Sequence, residues 1–84
     1  MNDLLSLPNV GSVLAGNLRT VGIETPEQLR ETGAKEAFLR IRRLADDGAC
    51  LHMLYGLEGA VRGVRDTLLP GDVREDLKAF FRGL

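Results

Sequence analysis

The stretch "LPNVGSVLAGNL", Leu7 to Leu18, joins a tight turn directly to a helix. Pro8 stops any helix before it, because the residue preceding a proline disfavours helical geometry. Beyond the turn, apolar residues recur at helical spacing until Gly22, which suits a left-handed helix terminus. We therefore predict a helix from Val10 or Gly11 to Gly22, with an apolar face made of Val10, Val13, Leu14, Ala15, Leu18 and Val21.

Helical spacing of apolar residues continues along the rest of the chain, and no segment alternates strictly between apolar and polar residues as a strand does. A short helix is expected at about 2–6, where Asn2 is the candidate cap. Further helices are expected at about 26–33, 34–45 and 48–66, and a last one after Asp72. No linker divides the chain, so the sequence predicts one compact all-α domain of six helices over residues 1–84.

Capping signals mark three of these helix starts. Thr25 suits the N-cap, Pro26 suits the first helical position, and Gln28 completes a capping box. Asp72 with Glu75 makes a second capping box at the start of the last helix. Asp46 or Asp47 can cap the helix expected at 48–66. On the outer side of the fourth helix, Glu36 and Arg40 are spaced to form an ion pair.

The helix expected at 48–66 has the widest apolar face and is predicted to be the central helix. Its centre should be buried, with Leu54, Leu57, Phe38 and Phe80 packed together. Three glycines fall within it, Gly56, Gly59 and Gly63, each at a cost of about 1 kcal/mol relative to alanine. They favour a close approach, either by another helix of the chain or by a second copy at the face around Gly56 and Gly63. The sequence leaves monomer and homodimer equally open.

Composition narrows the function. The 84 residues are 44% apolar and include 11 basic and 12 acidic residues, for a net charge of −1. Dedicated nucleic-acid-binding domains are usually basic. No apolar stretch approaches the roughly 20 residues of a membrane helix, and an acid stands where a signal peptide has basic residues. A cytoplasmic protein without a membrane partner is expected, and the single Cys50 can form no internal disulfide.

The residues give no sign of catalysis. Cys50 and His52 are two apart on a helix and point in different directions, so they make neither a metal site nor a nucleophile pair. Most carboxylates lie near helix N-termini, where they oppose the positive end of the helix dipole. We therefore expect a non-enzymatic domain with no catalytic residues, no metal and no cofactor.

One basic cluster stands out, formed by Lys35, Arg40, Arg42 and Arg43. It has two interpretations. The cluster is a solvated helix face partly offset by nearby acids, namely Glu31, Glu36, Asp46 and Asp47. Alternatively, it is a docking patch for an acidic partner or a phosphate backbone.

The segment "LPNVG" resembles the turn of a helix-hairpin-helix motif, in which Asn9 replaces the usual first glycine and Gly11 keeps the second. Asparagine tolerates the left-handed conformation of that position. The N–H groups that start the next helix could hold an anion, so the candidate phosphate-contacting turn is Asn9, Val10, Gly11 and Ser12. DNA-binding versions carry Lys or Arg next, whereas this chain has Ser12, Val13 and Leu14. The turn is therefore interpreted as mainly structural.

The segments "LPNVG" (7–11), "VGIETPEQL" (21–29), "GAKEAFLRI" (33–41) and "CLHMLYGLEGA" (50–60) together resemble the C-terminal domain of the TfoX/Sxy family. The family includes regulators of natural competence, in which this domain follows an N-terminal domain that the 84 residues do not contain. The resemblance implies a bundle related to paired helix-hairpin-helix and SAM-like folds. Our leading interpretation is a bacterial, non-enzymatic interaction module of a regulatory kind, with a protein as its partner. The alternative is weak, nonspecific DNA binding through the turn and the basic cluster.

Overall fold

The computed structural model describes residues 3–84, which form five α-helices and two short 3-10 turns. The first 3-10 turn is Leu4–Ser6, and the second, Asp66–Leu68, lies before the last helix. The α-helices are α1 (Ser12–Thr20), α2 (Pro26–Thr32), α3 (Ala34–Leu44), α4 (Leu51–Arg62) and α5 (Gly71–Arg82). These residues contain no strand, so the all-α prediction is confirmed, but the prediction of six helices is wrong.

The missing helix is the first one. Where a helix was expected at 2–6, Leu4–Ser6 makes a single 3-10 turn, and the Asp3 carboxylate accepts a hydrogen bond from the Leu5 N–H (2.9 Å). Pro8 leaves too few residues for an α-helix, and the shorter i to i+3 bonds of a 3-10 turn suit such a segment. The expected cap, Asn2, lies outside the described residues.

The core lies between α3 and α4, which form the most extensive helix pair, and α4 also contacts α2, α5 and the second 3-10 turn. The prediction that α4 is the central helix is therefore confirmed. Phe38, Leu54 and Leu57 are fully buried as predicted. Phe80 is only partly buried, and Leu77 is the residue that α5 buries fully. The Cα radius of gyration, 11.6 Å, matches the roughly 12 Å of a close-packed chain of this length.

Two apolar residues of the helices are largely exposed, and one of them, Val13, was predicted to lie on an apolar face. Val13 is 76% exposed because it lies on the opposite side of α1 from Ala15 and Leu18, which are the buried residues of that helix. Leu44 is 62% exposed at the last position of α3, to one side of the buried stripe. The apolar surface of the domain is therefore larger near the end of α3 than the sequence indicated.

Helix ends set by local signals were predicted best. The Gln28 N–H donates to the Thr25 hydroxyl (3.1 Å), and the Gln28 side-chain oxygen accepts from the Glu24 N–H (2.6 Å). The capping box is thus confirmed, with its return bond one residue before the N-cap. Gly22 adopts a φ of +86° just beyond α1, as expected of a left-handed terminus.

The caps assigned to aspartates were wrong. α5 begins at Gly71 with Pro70 as its N-cap, so Asp72 already lies inside the first turn. α4 begins at Leu51 with Cys50 as its N-cap, and neither aspartate caps it. The Asp46 carboxylate instead accepts a hydrogen bond from the Gly48 N–H (2.9 Å) and closes a local turn.

The end of α4 differs from the predicted end at residue 66. The helix stops at Arg62 because Gly63 turns left-handed (φ +77°). The Val64 N–H then donates to the Gly59 carbonyl and the Gly63 N–H to the Ala60 carbonyl, which is the Schellman pattern. Gly63 therefore terminates the helix rather than interrupting it.

The two glycines inside α4 are approached by the turn of the opening stretch and not by another helix. A β-carbon on Gly59 would lie 2.5 Å from the side-chain nitrogen of Asn9 and 2.6 Å from the Val64 carbonyl oxygen. A β-carbon on Gly56 would contact the β-carbon of Asn9 at 3.5 Å. Since both glycines are buried in this way, the Gly56 side of the suggested self-association face is covered within the chain.

Replacing Gly59 by alanine should destabilise the domain by about 1–3 kcal/mol, because the backbone oxygen of Val64 leaves no room for the added methyl group. Gly16, inside α1, is the matched control: no atom lies within 4 Å of its virtual β-carbon. Gly16→Ala should stabilise by up to about 1 kcal/mol through helix propensity. Urea unfolding followed by circular dichroism measures both, and a Gly59→Ala domain as stable as the wild type would contradict the close approach.

Candidate functional site

The predicted phosphate-contacting turn is built around Asn9. Its φ is +69°, the single positive value at a non-glycine position among residues 3–84. Asparagine is one of the few residues that accept this left-handed conformation. The backbone thereby reverses direction between the first 3-10 turn and the start of α1.

The Asn9 side chain ties the turn to the far end of α4. Its amide nitrogen donates to the Val64 carbonyl (2.9 Å) and to the Gly56 carbonyl (3.3 Å). Its amide oxygen accepts from the Asp66 N–H (3.1 Å). The side chain is therefore engaged within the fold on both its donor and its acceptor side. The sequence did not indicate this role for Asn9, although the close spacing of Gly56 and Gly59 was a sign that another part of the chain approaches α4.

The backbone N–H groups of the turn are only partly free. The Val10 N–H, which was expected to be open, donates to the Leu7 carbonyl (3.4 Å). The N–H groups of Gly11 and Ser12 have no acceptor in the described part of the chain. Both residues line a groove of about 630 Å³, which also includes Arg65 and residues at the start of α4.

The side chains in this groove do not form a catalytic arrangement. Cys50 is an exposed free thiol, and His52 is 83% exposed, with its Nδ1 atom 3.7 Å from a carboxylate oxygen of Asp66. Arg65 is exposed and makes no ion pair within residues 3–84. In the same part of the chain, no group of three or more His, Cys, Asp or Glu residues is placed to hold a metal ion.

The predicted basic cluster divides into two pairs. Lys35 forms an ion pair with Asp76 of α5 (2.8 Å) and lies over the ring of Phe80 at 5.2 Å. Arg40 forms the predicted ion pair with Glu36 (2.9 Å). Arg42 and Arg43, in the last turn of α3, make no ion pair in the described residues. Among the described residues, Arg42 and Arg43 are therefore the two cations of the cluster that no ion pair engages.

Arg42 and Arg43 lie beside apolar side chains. They line a shallow groove of about 510 Å³ with three other residues, Leu39, Asp47 and Leu84. We call these five residues the α3 patch. Leu84 is 48% exposed, and Leu44, which follows Arg43 in the sequence, is 62% exposed. The patch thus combines two unpaired guanidinium groups with apolar surface.

The stability of α3 explains only part of the residue composition of the α3 patch and its surroundings. Arginines in the last turn of a helix interact favourably with the negative end of its dipole. That effect explains Arg42 and Arg43 but not the exposed leucines next to them, which an isolated domain gains nothing by exposing. Apolar surface beside charged groups is typical of sites that bind another molecule.

The described residues form one small all-α domain with two candidate sites, the turn around Asn9 and the α3 patch. Residues 1–81 match the family "TfoX C-terminal domain", and the chain belongs to this family. It is 36% identical over 74 residues to Protein Sxy of Escherichia coli K12. That match covers 88% of the chain but only 35% of Sxy.

Two crystal structures of proteins from Listeria monocytogenes have the same fold. A triclinic form of an uncharacterized protein superposes with a TM-score of 0.94 at 44% identity, covering 96% of this chain and 91% of that one. A tetragonal form of a protein of unknown function gives a TM-score of 0.87 at 45% identity, covering 90% and 92%. In the described part of this chain, every helix is too short to cross a membrane.

Replacing Asn9 by glycine should destabilise the domain by about 1–3 kcal/mol, because two partly buried carbonyls and one N–H lose their partner while the backbone stays unstrained. Asn9→Ala should cost about 1–2 kcal/mol more, since alanine is disfavoured at this φ. Chemical unfolding of the three proteins measures both differences. Equal stability of Asn9→Gly and wild type would show that the side-chain hydrogen bonds do not hold the turn.

Proposed function

We propose that the domain is a non-enzymatic regulatory module that binds a protein partner through the α3 patch. The observation that carries this proposal is the pair of unpaired arginines, Arg42 and Arg43, in a groove with Leu39 and Leu84. Membership of the TfoX C-terminal domain family and the similarity to Sxy support a role like that of a competence regulator.

The chemistry of the patch favours protein over nucleic acid. A duplex presents a continuous row of phosphates, and proteins that bind it tightly neutralise many of them. Here Lys35 and Arg40 are already paired with acids of the same chain, and Asp47 places a negative charge in the groove itself. Exposed leucines gain nothing from a phosphate backbone, whereas protein interfaces use apolar side chains and arginine together.

A second candidate function is weak, nonspecific DNA binding through the turn. The N–H groups of Gly11 and Ser12 are open at the start of α1, and the unpaired Arg65 lines the same groove. Helix N-termini with open N–H groups bind phosphate. With a net charge of −1, the domain should bind duplex DNA with a Kd no tighter than roughly 10⁻⁶ to 10⁻⁴ M at physiological salt.

Reversing the charge of the patch should abolish protein binding. We expect immobilised wild-type domain to retain a specific protein from an extract of its native cell, and Arg42→Glu with Arg43→Glu to lose it. The matched control is Arg19→Glu with Arg30→Glu, which makes the same charge change in the last turns of α1 and α2, at exposed arginines that form no ion pair within residues 3–84. Retention that both double variants preserve, or that both lose, would contradict binding through the patch.

A titration of labelled duplex DNA tests the second candidate. Binding should be weak at about 50 mM salt and should fall steeply by about 200 mM, because counterion release supplies the affinity. Arg65→Glu should weaken it further, whereas the Arg19→Glu, Arg30→Glu control should change it less. Nanomolar affinity that persists at about 200 mM salt would make DNA the principal ligand and contradict the protein-binding proposal.

A further inference from the structure

We infer that the α3 patch takes a short amphipathic segment of the partner that carries both carboxylates and leucine-like side chains. This inference rests on the proposed protein-binding function and names the chemistry of its partner. Three properties of the patch lead to it: the charge left unpaired, the apolar surface beside that charge, and the size of the groove.

The unpaired charge selects carboxylates. A guanidinium group matches a carboxylate in two parallel hydrogen bonds, and Arg42 and Arg43 have no such partner in the described residues. Asp47, on the rim of the same groove, acts against a uniformly anionic ligand. A peptide can place its carboxylates against the arginines and keep them away from Asp47, which a continuous phosphate backbone cannot do.

The apolar surface selects leucine-like side chains. Leu39 is partly buried and Leu84 is 48% exposed, and both line the groove together with the arginines. Leu44 extends the apolar surface at the end of α3. Covering these side chains removes apolar surface from water, which stabilises a complex. A purely acidic segment would pair with the arginines but would leave the leucine side chains exposed to water.

The size of the groove selects a short segment. The groove is shallow and is lined by five residues, so it can contact only a few side chains of a partner. One helix of the partner could supply them, since residues at i, i+3 or i+4 and i+7 project from the same face. Carboxylates on the flanks of that face would then reach Arg42 and Arg43 while leucines fill the groove.

The test uses synthetic peptides of about 15 residues, long enough for some helix in isolation. One peptide carries leucines at i, i+4 and i+7 with flanking glutamates, a second replaces the leucines by serine, and a third replaces the glutamates by lysine. Fluorescence anisotropy with the full chain should show binding of the first and at least about tenfold weaker binding of the other two. Arg42→Glu with Arg43→Glu should weaken the first by at least about tenfold, and Arg19→Glu with Arg30→Glu by less than about twofold.

Two-dimensional NMR of the labelled chain should place the largest shifts at residues 39–47 and 82–84. The inference would be overturned if the first peptide did not bind, or if it bound the Arg42→Glu, Arg43→Glu variant as tightly as the wild type. It would also be overturned if the serine peptide bound as tightly as the first peptide. Self-association of the chain that requires Arg42 and Arg43, measured by light scattering, would assign the patch to a second copy and overturn it as well. A specific protein captured through the patch while no acidic peptide binds would refute this partner chemistry and leave the proposed function standing. Failure of both experiments would refute both.

Discussion

The side-chain amide of Asn9 is the interaction on which the arrangement of the domain depends. It joins the turn before α1 to Gly56, Val64 and Asp66, which lie 47 to 57 residues away in the chain. A net contribution of about 1 kcal/mol for each such hydrogen bond is a large share of the stability of a small domain. Other features follow from it: the turn must be left-handed, α4 must lack side chains where the amide lies, and α4 must end where its carbonyls can be reached.

The parts of the fold that were predictable from sequence are those decided by neighbouring residues. The start of α2 rests on Thr25 and Gln28, which are three residues apart, and the Glu36–Arg40 pair lies within one helical turn. Periodicity gave the central position of α4 and the burial of Phe38, Leu54 and Leu57. The end of α4 was placed four residues too late, because apolar spacing continues past Arg62 through Val64. What ends the helix is the left-handed Gly63, held beside a turn that is distant in sequence.

The same distinction between local and long-range contacts applies to the candidate site. The sequence identified a basic cluster, but it could not show which cations were free, because the partner of Lys35 is Asp76, 41 residues further on. Leu84 joins Arg42 and Arg43 only because α5 returns to α3, where the ring of Phe81 meets that of Phe38 edge-on at 5.9 Å. The turn, in contrast, was correctly placed along the chain, but the use of its Asn9 side chain inside the fold depends on long-range contacts. The positions and residue types of the candidate site could be predicted from the sequence. The contacts that distant parts of the chain make with those residues could not.

The turn around Asn9 and the α3 patch therefore differ in how many of their polar groups already have a partner within the domain. At the turn, the amide of Asn9 and the N–H of Val10 have partners within the chain, whereas the N–H groups of Gly11 and Ser12 and the Arg65 side chain have none among the described residues. At the end of α3, no described residue pairs with Arg42 or Arg43, and Leu44 is left largely uncovered.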